Sequence, residues 1–471
     1  MMLDHCYSGV YKGFLSDSRI AVRLENCLSD LLSSGTAVIN RLAPTHSLKA
    51  AFYRMLSNKR LEHDDILEGG YRLCNSTLNS LKHVLCIQDT TEFNYRGIRN
   101  KLGELDPNIG PTGNKTVPGF FCHPMLVVDA ESSSIQGLSS VIIYNRTWHQ
   151  KDKNERNYAQ LPIQDKESYR WIKSTELSRG IIPETTVMTV IGDRESDIYE
   201  EFIVVPDQRT HVLVRSRADR NLSDKGKLYS RLDGIVPQGN STIHVSSTKK
   251  RKARIAHMDI SFSKVIICAS RNYKGEQKTI ELSAILVKER AETVPDGELP
   301  ILWRLLTTHR IETLEQANQC IEWYKKRWLI EELFRVIKTK GFGIESSQLG
   351  SGAGLKKMLS MTLLVALKIM QLKLGLKDES MQAADVFSSN QIDYLDMVRQ
   401  RVEGGTELQK NPYKKQTLAW ATWLLARLAG WSGYKSHGPP GYITIKEGLD
   451  KFNQQFIVYA QVMEHKDVCK D

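Results

Sequence analysis

The first 78 residues show the hydrophobic spacing of amphipathic helices. In the segment SDSRIAVRLENCLSDLLSS, apolar residues recur every three or four positions from Ile20 to Leu31, and Arg19 and Arg23 fall on another face. A second basic helix is predicted around SLKAAFYRMLSNKR, which contains Arg54. Small helical units with arginines on one side are typical of DNA-reading modules, although solvated surface helices have the same pattern.

After residue 79 the pattern changes to short β-rich runs. These are HVLCIQDTTEF, MLVVDA, SVIIYNRT, TTVMTVIGDRESD and THVLVRSRADR, and a polar, helical stretch, KESYRWIKSTELSRG, lies between the third and the fourth. Strands mixed with helices predict an α/β core. From about 218 to 305 short strands separated by turns, such as STIHVSS and TIELSAILVKE, predict an all-β insertion.

The pattern is helical again from Thr313 onward. Thr313 followed by Gln316 fits a capping box, and Gly341 and Gly343 mark the end of that helical stretch. Two more helical segments follow, separated by the GPPG loop at 438–441. The predicted organisation is a helical region 1–78, an α/β region 79–370 that contains the insertion, and a helical region 371–471.

Composition makes nucleic acid a candidate partner. The chain has 471 residues, 41% of them hydrophobic, which is enough for several domains with real cores. Its formal net charge of +11 favours a polyanion such as nucleic acid, or an anionic surface, as partner. A basic protein without such a partner is the alternative. The densest charge run, KKRKAR from Lys249 to Arg254, is typical of a nucleic-acid patch, a targeting signal or a solvated loop.

The cysteines argue against a zinc site or a disulfide framework. None of the eight is spaced as CxxC, and most lie in apolar surroundings, which predicts buried free thiols in a reducing compartment. The N-terminus lacks the pattern of a signal peptide. The longest apolar segments, MLSMTLLVALKIM and LAWATWLLA, fall short of the roughly 18 uncharged residues expected of a membrane span. We therefore expect a soluble, cytoplasmic protein.

Two aspartates end buried strands. Asp89 closes HVLCIQD, and Asp193 closes VMTVIGD. A carboxylate at the carboxyl end of a buried strand lies where α/β folds place their chemistry. Alternatively, such aspartates cap the following turn through side-chain hydrogen bonds.

A third carboxylate, Glu331, lies in the basic segment YKKRWLIEELFRVIK. In a continuous helix, one face spanning roughly 60° would carry Tyr324, Arg327, Glu331 and Lys338. The opposite face would carry the apolar residues Ile330, Leu333, Phe334 and Ile337. The pattern predicts that the apolar face is buried and that the other face presents a carboxylate among groups suited to holding phosphate.

Three carboxylates suit two divalent metal ions, because hard cations such as Mg²⁺ prefer oxygen ligands. Two metals about 4 Å apart activate an attacking oxygen and stabilise a leaving one during in-line phosphoryl transfer. Cationic side chains beside them would hold a DNA backbone, and Tyr324 could hydrogen-bond a phosphate.

The spacing Y-x2-R-x3-E-x6-K resembles the signature of the bacterial IS-four family of DDE transposases, and within it the Tn-five transposase group. The contexts DTTEFNYR and DRESDIY resemble the first and second aspartate motifs of that family. The resemblance covers most of the chain. It implies a helical N-terminal DNA-binding domain, an RNase H-like catalytic core interrupted by a β insertion, and a helical C-terminal dimerisation region.

The resemblance also implies roles for individual residues. Asp89, Asp193 and Glu331 would be the catalytic metal ligands, holding two Mg²⁺ ions for which Mn²⁺ could substitute. The DNA-contacting residues that it implies are Tyr324, Arg327, Lys338, Arg335, Arg215, Arg19, Arg23 and Arg54. Trp303 would stack on a flipped base, although a tryptophan in the core is the alternative. For Trp328, core packing and DNA contact both stay open.

The function expected from this resemblance is cut-and-paste transposition of DNA. The protein would bind the terminal repeats of its element as a homodimer, cleave through a hairpin, and join the 3′ ends to target DNA. One alternative is an RNase H-fold nuclease that cuts without joining strands. Another is a catalytically silent DNA-binding protein derived from a transposase.

Overall fold

The computed structural model describes residues 7–102, 106–113, 115–151, 155–245, 247, 252–338, 341–376, 381–434 and 437–468, without the side chains of 385 and 461–468. Cys6, Cys469 and residues 249–251 of the basic run lie outside the described residues. The remaining cysteines are free thiols, as predicted; Cys268 is half-buried and the other five are buried.

Helices of the described residues are numbered in chain order. They are α1 (Ser18–Ser34), α2 (Ile39–Leu42), α3 (His46–Leu56), α4 (His63–Leu78), α5 (Arg170–Arg179), α6 (Tyr199–Val204), α7 (Leu228–Asp233), α8 (Leu314–Lys325), α9 (Trp328–Ile337), α10 (Gly352–Gly375), α11 (Ser389–Val402), α12 (Leu418–Leu428) and α13 (Tyr442–Val468). The strands are β1 (His83–Gln88), β2 (Thr91–Asn94), β3 (Gly110–Thr112), β4 (Val117–Asp129), β5 (Ile135–Tyr144), β6 (Val187–Gly192), β7 (Thr210–Arg215), β8 (Gly239–Val245), β9 (Arg254–Cys268), β10 (Thr279–Glu289) and β11 (Leu302–Thr307).

The amino-terminal region is helical, as its hydrophobic spacing predicts. Leu24, Leu28 and Leu31 of α1 are fully buried, whereas Arg23 is exposed. Asp17 caps α1 by accepting a hydrogen bond from the backbone N–H of Arg19. The buried faces of α1, α3 and α4 pack on α10.

One large mixed sheet organises the middle of the chain. Its strand order is β2-β4-β1-β6-β7-β11-β10-β9-β8, and β3 and β5 pair with β4. β1, β6 and β7 are parallel to one another, whereas β4 is antiparallel to β1 and β5 is antiparallel to β4. The carboxyl ends of β1, β5, β6 and β7 therefore reach the same edge of the sheet. Since β11 is antiparallel to β7, its amino end reaches that edge too.

The predicted insertion extends this sheet. β11 pairs with β7, and β10, β9 and β8 continue outward as antiparallel neighbours. The expectation of an all-β insertion is wrong in one respect, because α7 lies within it. Leu228 and Leu232 of α7 are fully buried, and the helix covers β9 and β10. A six-residue helix held by two leucines gives too short a periodic pattern to be recognised in the sequence.

The apolar helix α10 lies at the centre of the helical packing. It contacts α1, α3 and α4, which precede it in the chain, and α12 and α13, which follow it. By length and composition it is long enough to cross a membrane, and 78% of its most apolar window is buried inside the protein. That burial accounts for its composition. The predicted domain boundary at 370/371 falls within α10, and the three-part division stays a prediction.

Candidate active site at the edge of the sheet

Two strand pairings bring the first two carboxylates to one edge. Asp89 directly follows β1, and Asp193 directly follows β6. The two strands are parallel neighbours in which Ile87 lies opposite Ile191, so both aspartates leave the sheet on the same side. Each also binds the turn that it begins, because Asp89 accepts a hydrogen bond from the N–H of Thr90 and Asp193 from that of Glu195, both at 2.7 Å. Asp89 and Asp193 therefore both cap the turns that they begin and lie together at this edge of the sheet.

Glu331 reaches the same edge from a helix. It lies in the first turn of α9, with 34% of its side chain exposed. α9 is anchored by Ile330, Leu333 and Ile337, which are fully buried. This agrees with the apolar face that the sequence predicts.

The predicted continuous helix over 324–338 is wrong. α8 ends at Lys325 and α9 begins at Trp328, so Arg327 lies in the connection and Lys338 lies just beyond the end of α9. The ammonium of Lys338 instead lies 5.3 Å from the centre of the Phe93 ring. The four signature residues therefore do not lie on one unbroken helix, although Arg327 contacts Glu331 and its charge acts on Tyr324.

Tyr324 also differs from the expectation that it faces solvent. It is only 5% exposed, and its ring lies edge-on to the ring of Trp303 with the centres 5.8 Å apart. Burial raises the pKa of Tyr324 to about 12, whereas the nearby charges of Arg327 and Arg215 lower it. Its hydroxyl is therefore protonated at neutral pH, beside these two cations.

Arg327 links the first and third carboxylates. Its Nη1 lies 3.4 Å from Oδ2 of Asp89, and its Nη2 donates a hydrogen bond to Oε1 of Glu331. Burial raises the pKa of Asp89 to about 7, and the charge of Asp193 adds to that effect. Glu331 raises it further, while Arg327 lowers it. The charges of Asp193 and Glu331 therefore both act on Asp89.

The donor chemistry of this triad fits a divalent cation. Three carboxylates supply hard oxygen ligands, and their mutual repulsion is what a bound cation would relieve. The described residues nevertheless include no group of three His, Cys, Asp or Glu side chains already arranged to hold a metal ion. Arg327 lies between Asp89 and Glu331, so it would have to give up these contacts for both to bind metal.

A cavity of about 680 Å³ opens on the β7–β11 side of the carboxylates. Trp303 lines it together with Arg194, Arg215 and Arg304. The guanidinium of Arg215 is held in position by the backbone, because its Nη2 donates a hydrogen bond to the carbonyl of Leu302 at 2.8 Å. Burial and the neighbouring charge of Arg194 lower the pKa of Arg215. We call this the Trp303 pocket; it combines an aromatic ring with three guanidinium groups.

A buried polar chain beneath the carboxylates escaped sequence analysis. The side chain of Arg170 donates to Oγ1 of Thr90 at 2.7 Å, and that hydroxyl bonds Nδ1 of His123 at 2.8 Å. The other ring nitrogen of His123 lies 3.0 Å from Oε1 of Gln88, whose amide donates to Glu201 at 3.3 Å. The one sequence signal is Gln88, a polar residue in an otherwise apolar strand next to Asp89.

The pKa shifts of His123 and Glu201 in this polar chain favour the neutral form of each side chain. Burial, with the nearby charge of Arg170, lowers the pKa of His123 well below its ordinary value. Burial raises the pKa of Glu201 to about 8. Arg170 also contacts Glu195 at 2.9 Å. It thereby ties the turn after Asp89 to the turn after Asp193.

The remaining candidate residues lie on helix surfaces. Trp328 is 55% exposed, and both its indole N–H and the guanidinium of Arg335 donate to Glu332. The exposed faces of α1 and α3 carry Arg19, Arg23 and Arg54. Arg19 pairs with Asp17 at 3.0 Å. For Trp328, exposure makes core packing a poor explanation.

Comparison with known proteins identifies the middle of the chain. Residues 174–368 match the family model described as Transposase DDE domain. The chain therefore carries a transposase DDE domain, which contains Asp193 and Glu331, whereas Asp89 precedes it. A piggyBac transposase, solved by cryo-EM as a synaptic complex with hairpin DNA, overlaps 94% of this chain and 77% of its own, with 9% identity and a TM-score of 0.37. An overlap this loose fixes neither the fold nor the position of any side chain.

Proposed function

We propose that this protein is a cut-and-paste DNA transposase whose catalytic residues are Asp89, Asp193 and Glu331. The observation that carries the proposal is the convergence of these carboxylates at one edge of the sheet, two of them inside the transposase DDE domain. The three come from β1, β6 and α9, far apart in the chain. Such a convergence of charge costs stability, so it is typical of a site that binds cations.

The three carboxylates would hold divalent metal ions, with Mg²⁺ as the expected ion and Mn²⁺ as a substitute. Bound metal would supply activation of the attacking oxygen and stabilisation of the leaving one. Arg327, once released from Asp89 and Glu331, would neutralise a backbone phosphate. Lys338, just beyond the end of α9, would contact the same DNA strand, as the family resemblance implies. Tyr324, protonated and beside Arg327 and Arg215, would donate a hydrogen bond rather than act as a base.

The finer features of the proposal follow the IS-four and Tn-five resemblance. The central strand order β5-β4-β1-β6-β7, three antiparallel strands followed by two parallel ones, supports an RNase H-like core. The Trp303 pocket is large enough for an extruded base, and its guanidinium groups suit the adjoining phosphates. This supports second-strand cleavage through a hairpin. Terminal-repeat binding by Arg19, Arg23 and Arg54 and pairing of two ends by a homodimer complete the proposal.

A silent DNA-binding protein is the second candidate. The contacts of Arg327 with Asp89 and Glu331 favour it, because a permanent ion pair there would exclude metal. The transposase proposal requires instead that metal and DNA phosphate together displace Arg327 from the carboxylates.

The test is excision from a supercoiled plasmid that carries the gene with its native flanking DNA. Purified protein and Mg²⁺ should release a discrete fragment and insert it elsewhere. Glu331→Ala should bind the element ends but release no fragment, because it removes a metal ligand. Glu322→Ala is the matched control, since Glu322 is an exposed glutamate on α8 that pairs with Lys325.

Each outcome of that experiment separates the candidates. End binding without any cut by the wild type would establish the silent DNA-binding protein. Cleavage without insertion would establish a nuclease. Normal cleavage by Glu331→Ala would remove Glu331 from the site.

A further inference from the structure

A second basic cavity lies on the opposite side of the carboxylates from the Trp303 pocket. Its volume is about 590 Å³, and the cationic side chains of its wall are Arg99, Lys115, Arg146, Lys151 and Arg156. Trp148 and Glu167 also line it. We call it the basic groove.

Four of the five cations have no carboxylate partner among the described residues. The one acidic side chain of the wall, Glu167, is bound by Arg146 through two hydrogen bonds at 2.8 and 3.0 Å. Lys115, Lys151 and Arg99 are exposed. The groove therefore presents an uncompensated positive charge, and a polyanion is the ligand class that would neutralise it.

Packing and backbone conformation hold the wall of the groove in place. Arg146 is clamped between Glu167 and the Phe121 ring, whose centre lies 4.3 Å from the guanidinium carbon. Lys115 and His149 hold left-handed backbone conformations with φ of 65° and 55°. Such conformations in non-glycine residues persist only where the surroundings impose them. Two buried wall donors, Nε1 of Trp148 and Nε of Arg156, have no acceptor among the residues that the structure describes.

Sheet topology fixes the place of the groove relative to the carboxylates. Arg146–Lys151 follow β5 at the edge where Asp89 and Asp193 leave β1 and β6. In the order β5-β4-β1-β6-β7-β11, the groove lies at one end and the Trp303 pocket at the other. Arg146 and Glu167 also line a polar cleft that contains Arg170 and Glu195 and so leads toward the carboxylates.

We propose that the basic groove holds the sugar–phosphate backbone of the DNA duplex that receives the element. The inference rests on the proposed transposase function, because strand joining requires two duplexes to meet at one set of carboxylates. If the Trp303 pocket takes the element end, the second duplex must approach from the other flank, and the groove is the cationic surface there. The lysines and arginines of the wall suit sequence-independent contacts with phosphates.

The experiment uses the double variant Lys115→Glu/Lys151→Glu of the full chain. Excision is measured on the plasmid that carries the element, and insertion is measured into a second supercoiled plasmid that serves as the receiving DNA. The variant should excise at a rate within about twofold of wild type while insertion falls at least about tenfold, since two phosphate contacts become repulsive. Binding of a plain duplex without element ends should weaken and become less dependent on salt concentration.

Two controls keep the result interpretable. Lys115→Arg/Lys151→Arg retains the charge and should insert as wild type does. Lys288→Glu/Lys414→Glu makes the same change in net charge at exposed lysines outside the groove and should leave insertion unchanged. Insertion by the Glu variant equal to wild type would overturn the inference, as would an equal loss of excision and insertion. Absence of excision by the wild type would instead remove the proposed function, and the inference with it.

Discussion

Nη1 of Arg327 lies 3.4 Å from Oδ2 of Asp89, although the two residues are 238 positions apart in the chain. The contact joins the strand that carries the first carboxylate to the turn that precedes the helix of the third. The charge of this guanidinium opposes the repulsion between the carboxylates. Metal binding and the Arg327 contacts are therefore alternatives.

Divalent metal should stabilise the fold through these carboxylates. We expect Mg²⁺ or Mn²⁺ at a concentration a hundredfold above Kd to raise the free energy of unfolding of the wild type by about 2.7 kcal/mol, and the unfolding temperature with it. Asp89→Asn should abolish this increase, because it removes a ligand and leaves the others in place. Thermal unfolding with and without chelator measures it, and Glu322→Gln is the control. An undiminished metal response in Asp89→Asn would place the metal elsewhere.

Trp303→Ala should slow hairpin formation more than first-strand nicking. Stacking on an extruded base contributes about 1–3 kcal/mol, and only the second step requires the base to be extruded. Trp303→Phe should keep part of the effect, since it retains a ring. Denaturing gels of end-labelled DNA separate the two products. If Trp303→Ala slows nicking and hairpin formation equally, then Trp303 acts only through its packing on Tyr324.

Thr90→Val should weaken both stability and cleavage. The hydroxyl of Thr90 accepts a hydrogen bond from Arg170 and bonds His123, so the isosteric valine leaves buried polar groups unsatisfied. The expected cost is about 1–3 kcal/mol in the free energy of unfolding, with slower nicking because the turn after Asp89 is less well held. Thr91→Val is the matched control, as no hydrogen bond of its hydroxyl occurs among the described residues. Urea unfolding and nicking rates that match the control would show that the polar chain does not position Asp89.

Stability should fall in acid because of three histidines at the other edge of the sheet. Burial lowers the pKa of His83 to about 4 and that of His309 to about 3, and it also lowers that of His211. The rings of His211 and His309 stack with centres 3.9 Å apart, and Thr189 bonds both His83 and His309 at 2.8 Å. The folded protein therefore holds these histidines neutral.

The sign of the pH effect follows from these lowered pKa values. Above about pH 6.5 the histidines are neutral in both states and their contribution is fully present. As the pH falls toward 4 and then 3, unfolding takes up protons, and each histidine lowers the free energy of unfolding by up to about 1.4 kcal/mol per pH unit. His309→Gln should reduce that slope. Urea unfolding from pH 7.5 to 4.5 measures it, and identical slopes for wild type and variant would contradict the prediction.

Periodicity predicted most of the elements because their buried faces are wide. The leucines of α1, the capping box of Thr313 and Gln316, and the alternation of helices and strands all reappear in the structure. α7 was missed because six residues carry little periodic signal. The break between α8 and α9 was missed because the residues around Arg327 are ordinary helix formers.

The sequence singled out the candidate carboxylates but predicted less of their geometry. Asp89 and Asp193 stand out because each ends an apolar strand, and Glu331 because it lies among cations. The burial of Tyr324 against Trp303 depends on how β11 pairs with β7, which no local pattern encodes. The polar chain from Arg170 through His123 to Gln88 has the same origin, since its members come from α5, β4 and β1.

The position of α10 has a consequence for how the protein is made. The apolar faces of α1, α3 and α4 are covered by a helix that is synthesised only after the whole sheet region. While the ribosome is still translating that region, the amino-terminal helices lack one of the surfaces on which they pack. A nascent chain that stops before Gly352 therefore exposes apolar surface that α10 covers in the finished protein, which makes early termination products prone to aggregation.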